Sequence, residues 1–269
     1  MKAPLLLVSI LAVAAYAPVN AQNLFNQATV TRGIPAGGSY VPPGGLYDNE
    51  QSDGSTSLAS QDSSGTLTAR SADDFVLTLA GCPNNQILVT QIRTQMVQAD
   101  AAPQPFAIDL YQDDGTGNSP APTNSIIPFA TAQQTSSVVL GAFGVGTSIH
   151  EVAFNPTNLV LTSGTRYWIS GYGATAASNA ASFNNFFAAS AGLASTTDNG
   201  VIIAPGAGVA NWTPVDSVIG PPALAFSFAI DGRCAGEAAP VSANTPWALW
   251  SLMGLLALAG VLVVRRQTA

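Results

Sequence analysis

The sequence predicts an all-β protein, an antiparallel β-sandwich of jelly-roll-like kind, flanked by an N-terminal signal peptide and a C-terminal transmembrane helix. Three observations predict the sandwich. After Arg70 the chain breaks into short apolar runs with two-residue alternation, as in "FAIDLY" (Phe106–Tyr111) and "LAFSFAI" (Leu224–Ile230). Turn-forming clusters separate the runs: Pro83-Asn84-Asn85, "DDGTGNSP" (Asp113–Pro120), Asn155-Pro156, "TSGT" (Thr162–Thr165) and Gly220-Pro221-Pro222. Between the two termini no stretch shows a helical repeat with caps at both ends.

In chain order, residues 1–21 form the expected signal peptide. Lys2 precedes the apolar stretch Leu5–Ala15, and Val19-Asn20-Ala21 supplies small residues before Gln22, which places cleavage after Ala21. Residues 22–45 are a flexible, turn-rich segment, and that texture continues to Arg70 around one short strand in "GLYDNE". The sandwich domain is expected over 46–234. Its strands are Phe75–Leu79, Ile87–Val97, Phe106–Tyr111, Ser137–Leu140, His150–Phe154, Asn158–Leu161, Arg166–Tyr172 and Ala223–Ile230. Residues 174–200 are rich in Ala, Ser and Asn, and fit either a strand pair or an excursion over one end of the sandwich. Phe183, Phe186 and Phe187 within them are expected to be buried.

Residues 235–245 are a small-residue, Pro-bearing spacer. The run Trp247–Val264 then has 18 uncharged, mostly apolar residues. At 1.5 Å per residue it is about 27 Å long as a helix, close to the hydrocarbon thickness of a bilayer. Arg265 and Arg266 follow it and would stay on the cytoplasmic side.

Charge excludes several functions. All 15 acidic residues lie between Asp48 and Glu237, and the expected exported body has only Arg32, Arg70, Arg93, Arg166 and Arg233 as basic residues. So acidic a body is not a partner for nucleic acid or an anionic membrane surface. It contains no lysine, which removes Schiff-base chemistry and a P-loop. In an exported chain the two cysteines, Cys82 and Cys234, are expected to pair.

No catalytic residue can be assigned. His150-Glu151 would suit a base and its orienter, but no G-x-S-x-G elbow exists. Ser148, on the same side of a strand as His150, brings no oxyanion site. Asp73-Asp74 are neighbours on a strand and face opposite sides, so they do not form a carboxylate pair. "YQDDGTGNSP" (Tyr111–Pro120) misses the calcium-loop spacing, and no metal or cofactor is expected. A ligand surface, if the aromatic residues build one, would use Trp168, Tyr172 and Trp212, with extracellular polysaccharide as the partner. Tyr167 faces the opposite side from Trp168.

"VSANTPWALWSLMGLLALAGVLVVRR" (Val241–Arg266) resembles the C-terminal sorting signals of the PEP-CTERM and IPTL-CTERM type, carried by exported proteins of Gram-negative bacteria. Trp247-Ala248-Leu249, the small-residue stretch Ala257–Gly260 and Arg265-Arg266 carry the likeness, while "VSANTP", ending in Pro246, stands where Pro-Glu-Pro or Ile-Pro-Thr-Leu would be. The resemblance implies that a membrane sorting peptidase of exosortase or rhombosortase type processes residues 246–269. The body resembles a β-sandwich common on such proteins through "LYDN" (Leu46–Asn49), "ADDFVLT" (Ala72–Thr78), "FAIDLYQDDGTGNSPAP" (Phe106–Pro122) and "LVLTSGTRYWIS" (Leu159–Ser170). The expectation is a non-enzymatic, structural or adhesive protein, exported through the inner membrane to the cell surface or beyond. The alternatives are a carbohydrate-binding module-like protein and a secreted hydrolase.

Overall fold

The computed structural model describes residues 25–27, 45–49, 52–62, 68–99, 105–121, 127, 134–143, 147–174, 184–190, 200–220 and 223–236. All of them except Gly236 belong to one unit, Met1–Ala235. The strands are β1 (Phe25–Gln27), β2 (Tyr47–Asp48), β3 (Ser52–Ala59), β4 (Arg70–Val76), β5 (Gln86–Ala99), β6 (Phe106–Gln112), β7 (Gln134–Ala142), β8 (Thr147–Phe154), β9 (Val160–Thr162), β10 (Arg166–Gly173), β11 (Asn185–Ser190), β12 (Val201–Ala204), β13 (Val209–Pro214) and β14 (Phe228–Cys234). One short helix, α1 (Val215–Ile219), follows β13. Among the described residues no helix is long and apolar enough to cross a membrane. The apolar run Trp247–Val264 lies outside the described residues, as do the signal peptide and the spacer from Glu237 onward.

Two antiparallel sheets make the fold. The larger is organised by β5, whose 14 residues are shared among four partners. On one edge β9 pairs with Gln86–Leu88 and β8 with Ile92–Ala99. On the other, β14 pairs with Ile87–Thr94 and β11 with Met96–Gln98. A register shift between Asp231 and Gly232 lets β5 change phase. Ile87 and Val89 are buried on one side of the shift, and Ile92, Thr94 and Met96 on the other. β7 extends the sheet beyond β8, and β3 and β1 extend it beyond β11. The smaller sheet runs β13-β12-β4-β10-β6.

The chain crosses between sheets repeatedly, and its pairings nest: β3 with β11, β4 with β10, β5 with β8. Between the sheets lies a continuous apolar core that includes Phe75, Phe154, Phe187, Phe226 and Phe228. Each of these rings is at most 1% exposed, worth roughly 1.5–3 kcal/mol apiece relative to exposure. Phe187 stacks on Phe226 at 4.8 Å between centroids, and Phe75 meets Phe228 edge-on at 5.9 Å.

The core also buries polar groups, many of them hydrogen-bonded, while Thr94 Oγ1, Gln95 Nε2 and Ser170 Oγ have no hydrogen-bond partner among the described residues. The Asp73 carboxylate, fully buried, accepts the backbone N–H of Phe226 at 2.6 Å, that of Asp74 at 3.0 Å and the Asn49 amide at 3.0 Å. It ties β4 to the segments that flank β2 and β14. Ser60 donates to the Gly171 carbonyl at 2.5 Å, and Ser71 donates to that of Ala59 at 2.9 Å. Gln61 accepts from the N–H groups of Asn184 and Asn185.

Several sequence expectations change. Phe25–Gln27 and Ser52–Ala59, read as turn-rich, are strands, because β3 finds partners on both sides and its small side chains fit a crowded layer. The strand expected at Phe75–Leu79 instead occupies Arg70–Val76. Asn158 has φ near 59°, a left-handed turn rather than the start of a strand. "LAFSFAI" is buried on both faces, since Phe226 bridges to Ala189 while Phe228 starts β14. Within 174–200, the described strand β11 lies between β3 and β5. Phe186 and Phe187 are buried there, and Phe183 is outside the described residues.

Candidate ligand-facing surface

Alternation along the smaller sheet sorts its side chains. Phe75, Leu110 and Ile169 belong to the core between the sheets. Register sets Trp168 opposite both Asp74 and Tyr111, and Ser170 opposite Asp109, so these form the outer face. A second, smaller apolar cluster sits on that face: Ala72, Tyr111, Trp168 and Val201, with Trp212 packed against it.

The loop Asp113–Ala121 is pinned over this cluster. Asp113 and Pro120 bridge its two ends. Trp168 donates its Nε1–H to Asp113 Oδ1 at 2.9 Å, and Arg166 binds both Asp74 and the Gly117 carbonyl. The remaining carboxylate capacity goes to the loop's own donors. Asp113 Oδ2 accepts from the N–H groups of Gly115 and Gly117. Asp114 accepts from the N–H and hydroxyl of Thr116 and from the Ser119 hydroxyl. The hydrogen bonds from Thr116, foremost, hold the Asp114 carboxyl below its ordinary value. The acidic run is thus a self-braced turn. Among the described residues no three His, Cys, Asp or Glu side chains converge.

Between this loop and the β12–β13 hairpin opens a cleft of about 370 Å³, lined by Asp114, Ser119, Pro120, Ile203, Ala210, Asn211 and Trp212. Trp212 is half-buried, with its ring edge-on to Tyr111 at 5.5 Å. Its Nε1 donor has no hydrogen-bond acceptor among the described residues.

A charged cluster occupies the other end of the outer face. The Arg70 guanidinium lies 3.5 Å from the centroid of the Tyr172 ring and 3.7 Å from Asp109, and Asp62 approaches it at 3.4 Å. Tyr111 and Tyr172 both donate to Asp109. Burial raises the Asp109 carboxyl against the opposing pull of Arg70. Burial and the neighbouring Asp109 push Tyr172 up to about 12 and raise Tyr111 as well.

Of the aromatic residues expected to form a ligand surface, only Trp212 lines the cleft. Trp168 is 1% exposed and hydrogen-bonded beneath the loop, so it presents no stacking face. The Tyr172 ring has one face covered by Arg70. Tyr167 is buried in the core, its hydroxyl accepting the Thr162 N–H. His150 and Ser148 share a face, with Ser148 Oγ 2.8 Å from His150 Nε2 and Phe106 beside the ring. Glu151 alternates to the opposite face, where burial raises its carboxyl and Arg93 opposes the shift, so it does not orient that imidazole. Sequence reasoning missed Arg70 and Asp109, although Arg70 stood out as one of five cations in an acidic body. It also missed Ala210 and Asn211 as cleft walls, and the N-W-T triplet was the available signal for Asn211.

Cys82 and Cys234 form a disulfide, with Cα atoms 4.9 Å apart and a sequence separation of 152. Cys82 precedes β5 and Cys234 ends β14, so the bond joins neighbouring strand ends. The sorting-signal residues Pro246, Trp247, Ala248, Leu249, Arg265 and Arg266 lie outside the described residues. Comparison with protein-family models, with curated proteins and with solved structures found no match to this chain.

Proposed function

We propose that this chain is an exported, non-enzymatic protein of the cell surface or the extracellular matrix, with a structural or adhesive role. A membrane sorting peptidase of exosortase or rhombosortase type processes it at residues 246–269. The observation that carries the reading is the Cys82–Cys234 bond, whose loop spans β5 to β14. Disulfides of this kind persist in oxidising compartments. The sequence marks at both ends, Lys2 to Ala21 and Pro246 to Arg266, agree with that placement. The nested pairing of β3 with β11, β4 with β10 and β5 with β8 supports a jelly-roll-like winding. A structural role suits a body in which Asp73, Asp113, Asp114, Cys82 and Cys234 are engaged in holding the fold.

Intact-mass analysis of the protein from surface, medium and cytosolic fractions tests the proposal, with thiol alkylation before and after reduction. The expected species begins at Gln22, lacks the segment from Trp247 onward, and takes up alkylating reagent only after reduction. A full-length cytosolic species with two free thiols would sink it.

A further inference from the structure

We propose that the cleft between the Asp113–Ala121 loop and the β12–β13 hairpin is a binding site for a neutral, hydroxyl-rich saccharide. This goes beyond the surface role above and does not depend on how the C-terminal segment is processed.

The volume of about 370 Å³ falls in the range of small-ligand sites. The wall chemistry then selects the ligand class. Trp212 supplies an aromatic face for the C–H face of a sugar ring. Its orientation is set beforehand by the edge contact with Tyr111. Asn211 is exposed, and its amide makes no hydrogen bond among the described residues, so one donor group and one acceptor are available to hydroxyls. Asp114 accepts three hydrogen bonds from Thr116 and Ser119. Its own backbone N–H adds a fourth, which fills the carboxylate, so Asp114 shapes the cleft through its charge rather than as an acceptor. Asp114 stays ionised at neutral pH and no cation lines the cleft, so a uronate or a phosphorylated sugar is repelled.

The walls are also held in place. The loop wall is fixed through Asp113 to Trp168 and through Gly117 to Arg166, and the hairpin wall is paired to β4. A wall that needs no ordering on binding lowers the entropic cost of association.

The test uses the full-length chain in a detergent without a sugar headgroup. It is titrated with a panel of neutral oligosaccharides (cello-, malto-, manno- and chito-trioses) and with trigalacturonate, followed by tryptophan fluorescence and calorimetry. At least one neutral triose is expected to bind saturably and trigalacturonate not at all. Trp212→Ala should weaken binding at least tenfold. Because Trp212 supports Tyr111, two substitutions at exposed positions accompany it: Asn211→Ala, expected to weaken binding severalfold, and Ala210→Trp, expected to abolish it by filling the cleft. Each variant's unfolding midpoint is measured alongside. The inference is overturned if no neutral triose binds, if trigalacturonate binds more tightly, or if folded Ala210→Trp binds like the parent.

Discussion

Gly173 on β10 lies directly against Asn185 on β11: a Cβ added to Gly173 would sit 2.7 Å from Asn185 Cβ and overlap the amide beyond it. Asn185 is fully buried and its Oδ1 accepts from Gln98 at 2.8 Å, so it has no room to turn aside. Gly173→Ala is therefore expected to cost about 1–3 kcal/mol, the usual range for overpacking a filled interior. A urea unfolding midpoint checks it, and an unchanged midpoint would show that β10 and β11 are not in such close contact.

Removing the Asp73 carboxylate leaves three donors without their acceptor, two of them backbone N–H groups. Hydrogen bonds to a charged group contribute about 1.5–3 kcal/mol, and buried unpaired donors add a desolvation cost. Asp73→Ala should lower stability by about 3 kcal/mol or more. Asp74→Ala removes a carboxylate that is itself buried but whose partner Arg166 is partly exposed and can turn to solvent, so it should cost less than Asp73→Ala. Comparing the two by equilibrium denaturation separates the inner role from the outer one.

Reduction of Cys82–Cys234, or Cys82→Ser, frees a loop of 152 positions. In the chain-entropy treatment such a closure is worth about 5 kcal/mol, and losses of 2–5 kcal/mol are usual for native bonds. The expected result is a large drop in the denaturation midpoint with reductant present in wild type and no reductant effect in the variant.

Acidity should stabilise the fold over a narrow window. Burial raises the carboxyls of Asp109, Glu151 and Asp231, opposed by Arg70 in the first and by Arg93 in the other two. Between the ordinary carboxylate value of about 4 and those raised values, the folded chain binds more protons than the unfolded chain. Stability accordingly falls as pH rises through that window and is level above it. Asp114, shifted the other way, contributes stability that is lost only below the ordinary value. Denaturation free energies measured from about pH 4.5 to 8 should decline with pH. Asp109→Asn should flatten part of that decline.

The strands legible in the sequence are those in which large apolar residues alternate or run together. Ile87–Val97, Phe106–Tyr111 and Arg166–Tyr172 each emerge within two residues of β5, β6 and β10. β3 was not legible as a strand, and β11 was legible only as one of two alternatives for residues 174–200. Ser60 just after β3 and Asn185 at the start of β11 are polar groups that sit buried with distant partners to satisfy them. The β12–β13 hairpin was not named from the sequence, although Pro205-Gly206 ahead of Gly208 at φ near 84° follows the β-branched run Val201–Ile203. Burial of Trp168 is the reading its residue type favours, but its place beneath the Asp113–Ala121 loop rather than between the sheets was not readable, because it depends on that loop folding back. The disulfide was readable because two cysteines leave a single pairing.

The placement of that bond also decides how the domain would answer to tension. A pull applied beyond Ala235 reaches Cys234 first and passes through sulfur to Cys82, at the head of β5. β14 then cannot be unzipped from its exit end one rung at a time, because its last residue is locked beside the strand it pairs with. Load enters instead at β5, which is braced on both edges by four neighbours. A domain built this way resists being dragged open from its C-terminal side, and cutting one covalent link would convert that resistance into easy peeling.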